Sequence, residues 1–497
     1  MKSAEGGLRR FATGTLIATV VAVSGCAAMP PGRLRSLPSA ASYPLDRNVA
    51  RALASSEFRR GGWPAADWWK GFDDTQLDSL VRVALARNPD LDIARSRLTL
   101  ARQQAALARS GLFPDIGVNA SVTRERFSAN GLYPPPFAGA TYNEGQFSLD
   151  FAYNLDLWGK ARDEFLARLS EAKAAAAQAA ETRLVITTAV ASTYFRLQGD
   201  LARLKVTKAG LVQRKAFERL VALRAANGLE SQLAVKQAES DVASAAARII
   251  GLRNSVAADR RALVALISEG PDAAGGIRQP TGRFDRPFPV PSGLPVDLLA
   301  RRPDIMVRRW EVEAAAQEVG VARAGFYPDI SLSAQIGKQS IGLSKLFDPG
   351  SDFADVGPAI HLPIFEGGRL RATLRARYAQ YDIAVDRYRS ALINAARDVA
   401  DQMATVESVT QELARQTAAR RASGEAYRLA VLRYRSGLTS YLAVLVVQQD
   451  LLRQQDREAV LRTQRLQAVL ALIEALGGGY APGRAGHASS PRVGRQS

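Results

Sequence analysis

ARSGLFPDIGVNASV occupies Ala108–Val122, and ARAGFYPDISLSAQI occupies Ala322–Ile336, 214 positions further on. Each begins as a helical stretch, meets a Gly and a Pro, and then changes to the two-residue alternation of a strand. One helix-to-strand junction is therefore written twice.

The blocks around it are also doubled. LARNPDLDIAR at Leu85 aligns with LARRPDIMVRR at Leu299, and LDLWGKAR at Leu155 with LPIFEGGR at Leu362. RAANGLESQLAV at Arg224 aligns with RYRSGLTSYLAV at Arg433. The order is kept, so the chain is an internal duplication: repeat 1 over 73–270 and repeat 2 over 295–476. A Pro/Gly-rich stretch, 271–294, reads as an extended linker, and 477–497 as a disordered tail. Each repeat is expected to run helix, helix, strand, strand, very long helix, long helix. Asp73 and Asp74 could serve acid/base chemistry, but at a helix start carboxylates cap and favour the dipole.

Hairpins are expected over 114–157 and 328–365. Ile116, Val118, Ala120 and Val122 alternate with Gly117, Asn119, Ser121 and Thr123, and after a loop over Asn130–Gly145 the second strand alternates likewise. Ile330, Leu332, Ala334 and Ile336 form the apolar set of the third strand, Ile360, Leu362 and Ile364 that of the fourth. Long strands with one apolar and one polar face fit a membrane barrel, although a soluble two-sided sheet shares the pattern. His361 would then lie on the polar face. The smallest barrels have about eight strands, and an open edge in hydrocarbon leaves backbone groups unpaired. A barrel must therefore be shared between copies; the residues alone allow two or three.

Between the hairpins lie the long helices. Lys160–Ala226 lacks Pro and Arg369–Arg435 matches it, each about 100 Å long at 1.5 Å per residue. Such rods must pack lengthwise. Val190, Tyr194, Leu197, Leu201, Leu204 and Leu211 follow a coiled-coil seam, and Ala172–Ala180 permits close helix approach. The rods turn back at Asn227-Gly228 and Ser436-Gly437 into return helices 230–267 and 439–476. Phe113, Trp158, Tyr327 and Phe365 fall at the helix–strand level, where aromatic residues favour a membrane interface or simply pack.

The chain has 497 residues, a net charge of +18, one Cys and two His, His361 and His487. That excludes a His/Cys metal site, and no phosphate-cradling glycine motif is present. Nucleic-acid binding is not expected, because the Arg residues are scattered rather than clustered. No enzyme activity or cofactor is expected. MKSAEGGLRR followed by FATGTLIATVVAV reads as a leader, residues 1–25. VSGC then resembles a bacterial lipobox, which would make Cys26 the lipidated N-terminus, carrying S-diacylglycerol and an N-acyl chain; an ordinary signal peptide with a chance Cys is the other reading. Two or more chains anchor stably. Ala27, not Asp, follows, as in outer-membrane sorting, and 26–72 would be the lipid-anchored N-terminal segment.

Taken in order, WWKGFDDTQLDSLVRVAL, LPVDLLARRPDI, the paired FPDI and YPDI junctions and YRSGLTSYLAVLVVQQ resemble the TolC-type outer-membrane efflux family, in the lipoprotein branch serving resistance-nodulation-division pumps. The resemblance implies a mixed α/β membrane protein of TolC-like fold. Three duplicated chains, each giving four strands and long coiled-coil helices, would build a 12-stranded β-barrel continuous with a 12-helix α-barrel. It implies a passive exit duct in the outer membrane, projecting into the periplasm, with a periplasmic adaptor and an inner-membrane pump as partners. Asn227, Gly228, Leu229, Ser436, Gly437 and Leu438 match the tips that meet the adaptor. Leu442 matches an apolar ring of the pore gate, and Tyr434 a residue that ties neighbouring helices. At the family's acidic ring stands Val446; Asp450, one turn on, is the nearest carboxylate, and Ala234 replaces an Asp of the closed state. The remaining alternative is a coiled-coil lipoprotein that braces the envelope and transports nothing.

Overall fold

A computed structural model describes residues 29–39, 50, 54, 58–281, 288–291 and 301–481. The leader, Cys26, the start of repeat 2 (295–300) where its first helix is expected, and residues 482–497 lie outside the described residues. Helices α1 (Thr75–Arg87) and α2 (Pro89–Ser110) precede strands β2 (Asp115–Arg126) and β3 (Thr141–Leu155); β1 (Phe58–Gly61) lies upstream. The long helix α3 (Lys160–Ala226) and its return α4 (Gln232–Leu266) follow. After β4 (Phe288–Pro291), repeat 2 gives α5 (Pro303–Ala324), β5 (Asp329–Ile341), β6 (Asp352–His361), α6 (Arg369–Arg435) and α7 (Tyr441–Ala475). Prolines 89 and 303 open helices at the position where a missing N–H costs nothing.

The chain divides into two compact units. The first comprises the described residues of 29–37, 98–175 and 308–388. Its centre is a four-stranded antiparallel sheet in the order β2-β3-β5-β6. The first hairpin loop is shorter than the sequence suggests, because Tyr142 and Glu144 pair with Glu125 and Thr123. Asp156 fixes the start of α3, accepting from the backbone N–H of Ala161 (3.0 Å) and Arg162 (2.9 Å).

The second unit comprises the described residues of 38–97, 176–307 and 389–481. The seam residues Val190, Tyr194 and Leu197 are fully buried, as are Leu263, Leu461 and Leu472. The two interior glycines of α3 mark close approach to α7. A Cβ on Gly199 would strike Thr463, and one on Gly210 would lie 2.9 Å from a Leu452 methyl. That approach offsets the helix cost of glycine. It is flanked by Ser192 donating to Gln467 (2.7 Å) and by Asp456 bound to Arg203 (2.9 Å) and Arg248 (2.7 Å).

Two expectations need correction. The stretch 271–294 is not simply an extended linker: Phe288–Pro291 pairs in parallel with Phe58–Gly61. Upstream of that strand, the Arg278 N–H donates to Gln76 (2.9 Å) and the Thr281 N–H to Asp74 (3.0 Å). Nor does the tail begin at 477. Gly477, Gly478 and Gly479 all have positive φ, and side chains there would collide with Arg301, Leu184 and Ala65 respectively. These glycines are a packing device.

Asp74 is the hub of α1 rather than an acid/base group. It is buried and caps the helix, accepting from Gln76 N–H (3.0 Å), Leu77 N–H (3.1 Å), the Tyr194 hydroxyl (2.9 Å) and Thr281 N–H. Burial of Tyr194, then its hydrogen bond to Asp74, pushes that phenol far up. Asp74→Ala strands these donors. We expect it to destabilise the fold by about 3 kcal/mol or more, seen as a lowered thermal midpoint of the purified protein; an unchanged midpoint contradicts the hub.

Candidate functional site

Strand register sorts the sheet of the first unit into two chemically distinct faces. On one, Val118 stands beside Leu149, Ile336 and Ala354; the next row holds Ile116, Phe151, Ala334 and Val356. Leu155, Ile330 and Ile360 continue it. On the other, Asn119, Ser148 and Gly337 align, as do Gly117, Asp150, Gln335 and Asp355. His361 lies on this polar face, opposite Asp329.

Much of the apolar face is exposed in a single chain. Val118 is 64% exposed and Val356 75%. From Phe147 to Leu155 the band runs about 27 Å along the strand, or about 20 Å after a barrel-like tilt. Among the described residues nothing buries Val118, Ile336 or Val356. The edges are open too: among the described residues β2 pairs only with β3, and β6 only with β5.

At the helix-proximal end of the sheet the expected aromatic residues are present. Trp158 and Tyr327 stack at 4.6 Å, and the Trp158 indole N–H donates to the Pro328 carbonyl (2.8 Å). Phe113 and Phe365 are exposed. The segment after the proposed lipid site is strapped down in the same unit. Arg323 donates to the Gly32 carbonyl (3.3 Å), Tyr381 to the Arg35 carbonyl (2.6 Å), and Arg35 pairs with Asp386 (3.0 Å).

In the second unit the two helix turns share one geometry. Leu229 N–H reaches the Arg224 carbonyl and Gly228 N–H the Ala225 carbonyl; Leu438 to Arg433 and Gly437 to Tyr434 repeat it. This is the Schellman arrangement, which needs a left-handed residue at Gly228 (φ 70) and Gly437 (φ 73). In that motif the next residue usually folds back onto an apolar partner. Here the partner positions are Arg224 and Arg433, and Leu229 (65%) and Leu438 (69%) stay exposed. Asn227 closes its own turn by donating to the Leu223 carbonyl (2.7 Å), and Ser436 N–H reaches the Leu432 carbonyl.

The turns are tied together. Tyr434 is fully buried, packs at 5.3 Å from Phe217, and donates to the Glu230 carboxylate (3.1 Å). Arg224 lies over the Tyr434 ring at 4.8 Å and near Glu230 at 3.9 Å. Burial, then the Glu230 charge, push the Tyr434 phenol up to about 12. Val221, Ala234, Ala238, Tyr441, Val444 and Leu445 complete the cluster. Tyr434 therefore faces this core, whereas Leu442 and Val446 are exposed on α7, one turn apart after Leu438. Asp450, a turn further, accepts from Ser423 (2.6 Å) and Gln454 (3.1 Å), and Ser423 chiefly holds its carboxyl below the usual range. Glu230 was not singled out from sequence. Its signal was available in the contrast between GLE in the first turn and GLT in the second.

Among the described residues no group of His, Cys, Asp and Glu could hold a metal, and no helix is long and apolar enough to cross a membrane.

Comparison with known proteins gives one consistent result. The profile of the family described as outer membrane efflux protein matches residues 80–269 and 294–478. The fusaric acid resistance protein FusA of Burkholderia cepacia is 36% identical over 74% of this chain and 70% of its own. The multidrug resistance outer membrane protein MdtP of Escherichia coli is 31% identical over 96% of this chain and 98% of its own. The crystal structure of the outer membrane protein VceC of Vibrio cholerae superposes with a TM-score of 0.80 at 38% identity, covering 84% of this chain and all of that one. With its duplicated architecture and two-faced sheet, the chain belongs to the outer membrane efflux protein family.

Proposed function

We propose that the chain is the outer-membrane exit duct of a tripartite efflux pump, conducting small molecules passively from periplasm to exterior. One observation carries this reading: a four-stranded sheet with an exposed apolar face and two open edges. Lipid would cover the face, and β6 of one copy pairing with β2 of the next would satisfy the edges. Three copies would give twelve strands around a polar lumen. A brace that transports nothing leaves the apolar face without a solvent that suits it.

The remaining features take roles in this frame. Trp158 and Tyr327 would sit at the inner interface, near the strap that follows Cys26, whose lipid would add an anchor. Exposed Leu229 and Leu438 at the tips are the apolar knobs a periplasmic adaptor would grip, with an inner-membrane pump of the resistance-nodulation-division class supplying energy. Leu442 and Val446 would narrow the periplasmic entrance as an apolar constriction that gates by dewetting. The Glu230–Tyr434–Arg224 contact would hold that entrance shut. Because a duct need not recognise what it passes, drug-like compounds of the kind that name the multidrug resistance protein MdtP are suitable cargo.

The direct test is conductance of the purified full-length protein in planar lipid bilayers. Discrete channels support the duct; a silent protein, or one absent from outer-membrane fractions, contradicts it. Glu230→Gln with Tyr434→Phe should free the tips and raise open probability several-fold, since each lost contact is worth about 1 kcal/mol; an unchanged channel removes this contact from gating. Cys26→Ser should abolish metabolic labelling with palmitate while trimers persist, and labelling that survives would move the lipid elsewhere.

A further inference from the structure

The far end of the sheet carries a feature that passive conduction does not require. Residues on the polar face are the odd positions of β2 and the even positions of β3. Phe127 continues the β2 parity: its N–H bonds to the Ala140 carbonyl, one step beyond the Arg126–Thr141 pair. Phe127 and Tyr142 are therefore polar-face residues. The hairpin loop between them folds back over that face. Tyr133 lies 4.9 Å from Phe127, and Phe137 lies 5.5 Å from Tyr142. The Tyr142 hydroxyl donates to the Pro136 carbonyl (3.1 Å), and Gly139 N–H to the Phe127 carbonyl (3.1 Å). The β5–β6 loop goes the other way. Leu343 and Leu346 sit over Gly145, which belongs to the apolar face.

Charge is sorted by the same register. Asp115, Glu125, Glu144, Asp150, Asp329 and Asp355 all lie on the polar face, whose strand positions carry no Lys or Arg. Arg124, Arg126 and Lys338 are on the opposite side. Glu125 is paired across from Tyr142, and Glu144, which accepts from Gln339, is the next polar-face residue of β3. Aromatic rings and carboxylates thus share one end of one face. The α7 stripe offers no comparable charge: Leu442 and Val446 are apolar, and Asp450 is engaged by Ser423 and Gln454.

We propose that this end of the sheet is a selectivity filter at the outer mouth of the duct, favouring organic cations: solutes with an ammonium centre beside aromatic or apolar surface. The proposal rests on the duct reading above, since the polar face must be the lumen. Phe127, Tyr133, Phe137 and Tyr142 offer ring faces to the cation and its apolar body. Glu125 and Glu144 at this end, with Asp150 further along the same face, are repeated around a shared lumen, where they raise the local concentration of cations and exclude anions, as acidic rings do in cation channels.

The test uses the full-length protein in planar bilayers. Under a KCl gradient the reversal potential should show K⁺ preferred to Cl⁻. Benzyltrimethylammonium should permeate or block far better than benzenesulfonate, a matched aromatic anion. Glu125→Gln, Glu144→Gln and Asp150→Asn together should bring both ratios towards unity. Phe127→Leu with Tyr142→Leu should keep the K⁺ preference but weaken benzyltrimethylammonium binding about tenfold. Trimers on semi-native gels show that the variants assemble. Conductance without cation preference, or ratios that survive the carboxamide changes, overturns the filter while leaving the duct. Equal handling of the two aromatic ions by the wild type overturns it as well. Silence overturns the duct, and the filter with it.

Discussion

An open sheet edge cannot sit in hydrocarbon. Each unpaired N–H or C=O there costs several kcal/mol, and the described sheet has two such edges, on β2 and on β6. The apolar face between them makes the problem unavoidable, because Val118, Ile336 and Val356 lie on the side that water would otherwise wet. A chain with this sheet is stable either in lipid with its edges closed by other copies, or not as drawn. The proposed oligomer, its membrane location and its lumen would all answer that one constraint.

Duplication serves the same constraint economically. Each repeat supplies two strands and one helical hairpin, and the same turn chemistry closes both hairpins at Gly228 and Gly437. The copies have then diverged where their jobs differ. Repeat 1 has Glu230 after its turn and repeat 2 has Tyr434 before its turn, and the two side chains meet. Ser268 adopts the left-handed conformation at the end of α4 that Gly477 adopts at the end of α7. Only the second needs a missing Cβ, because Arg301 passes over it.

Much of this was legible in the sequence. The long helices are bounded by residues with strong local preferences, Gly159 and Gly228 for one, Gly368 and Gly437 for the other, so their limits could be read directly. The first three strands were legible from alternation, and the faces from its phase; β6 runs Asp352–His361, so Leu362 and Ile364 of the expected fourth apolar set lie beyond its end. What escaped depends on pairs far apart in the chain. The β1–β4 ribbon joins two four-residue strands with no periodicity to betray them. Glu230 and Tyr434 lie 204 positions apart, and a charge beside a turn looks like any solvated residue. The inward fold of the Phe127–Ala140 loop is set by ring packing rather than by alternation, which ends where the strand does. Gly477–Gly479 read as disorder because composition cannot distinguish a flexible glycine from one required by close approach. Proposed gate residues were placed but divided: Tyr434 is turned into the tip core, whereas Leu442 and Val446 remain exposed.

A division of labour follows for the duct. In the proposed duct the tips would handle partners and closure through apolar contacts and one buried tyrosine, and the sheet would meet the membrane on one face and the solute on the other. The central claim, that edges of different copies meet, can be measured directly. One cysteine placed on β2 and another on β6 of the same chain, scanned in register, should be oxidised in intact outer membranes and run on denaturing gels. The account predicts disulfide-linked species that stop at three chains, because a closed ring has no further edge. Bonds confined to single chains, no bonds at any register, or an open-ended ladder would contradict it.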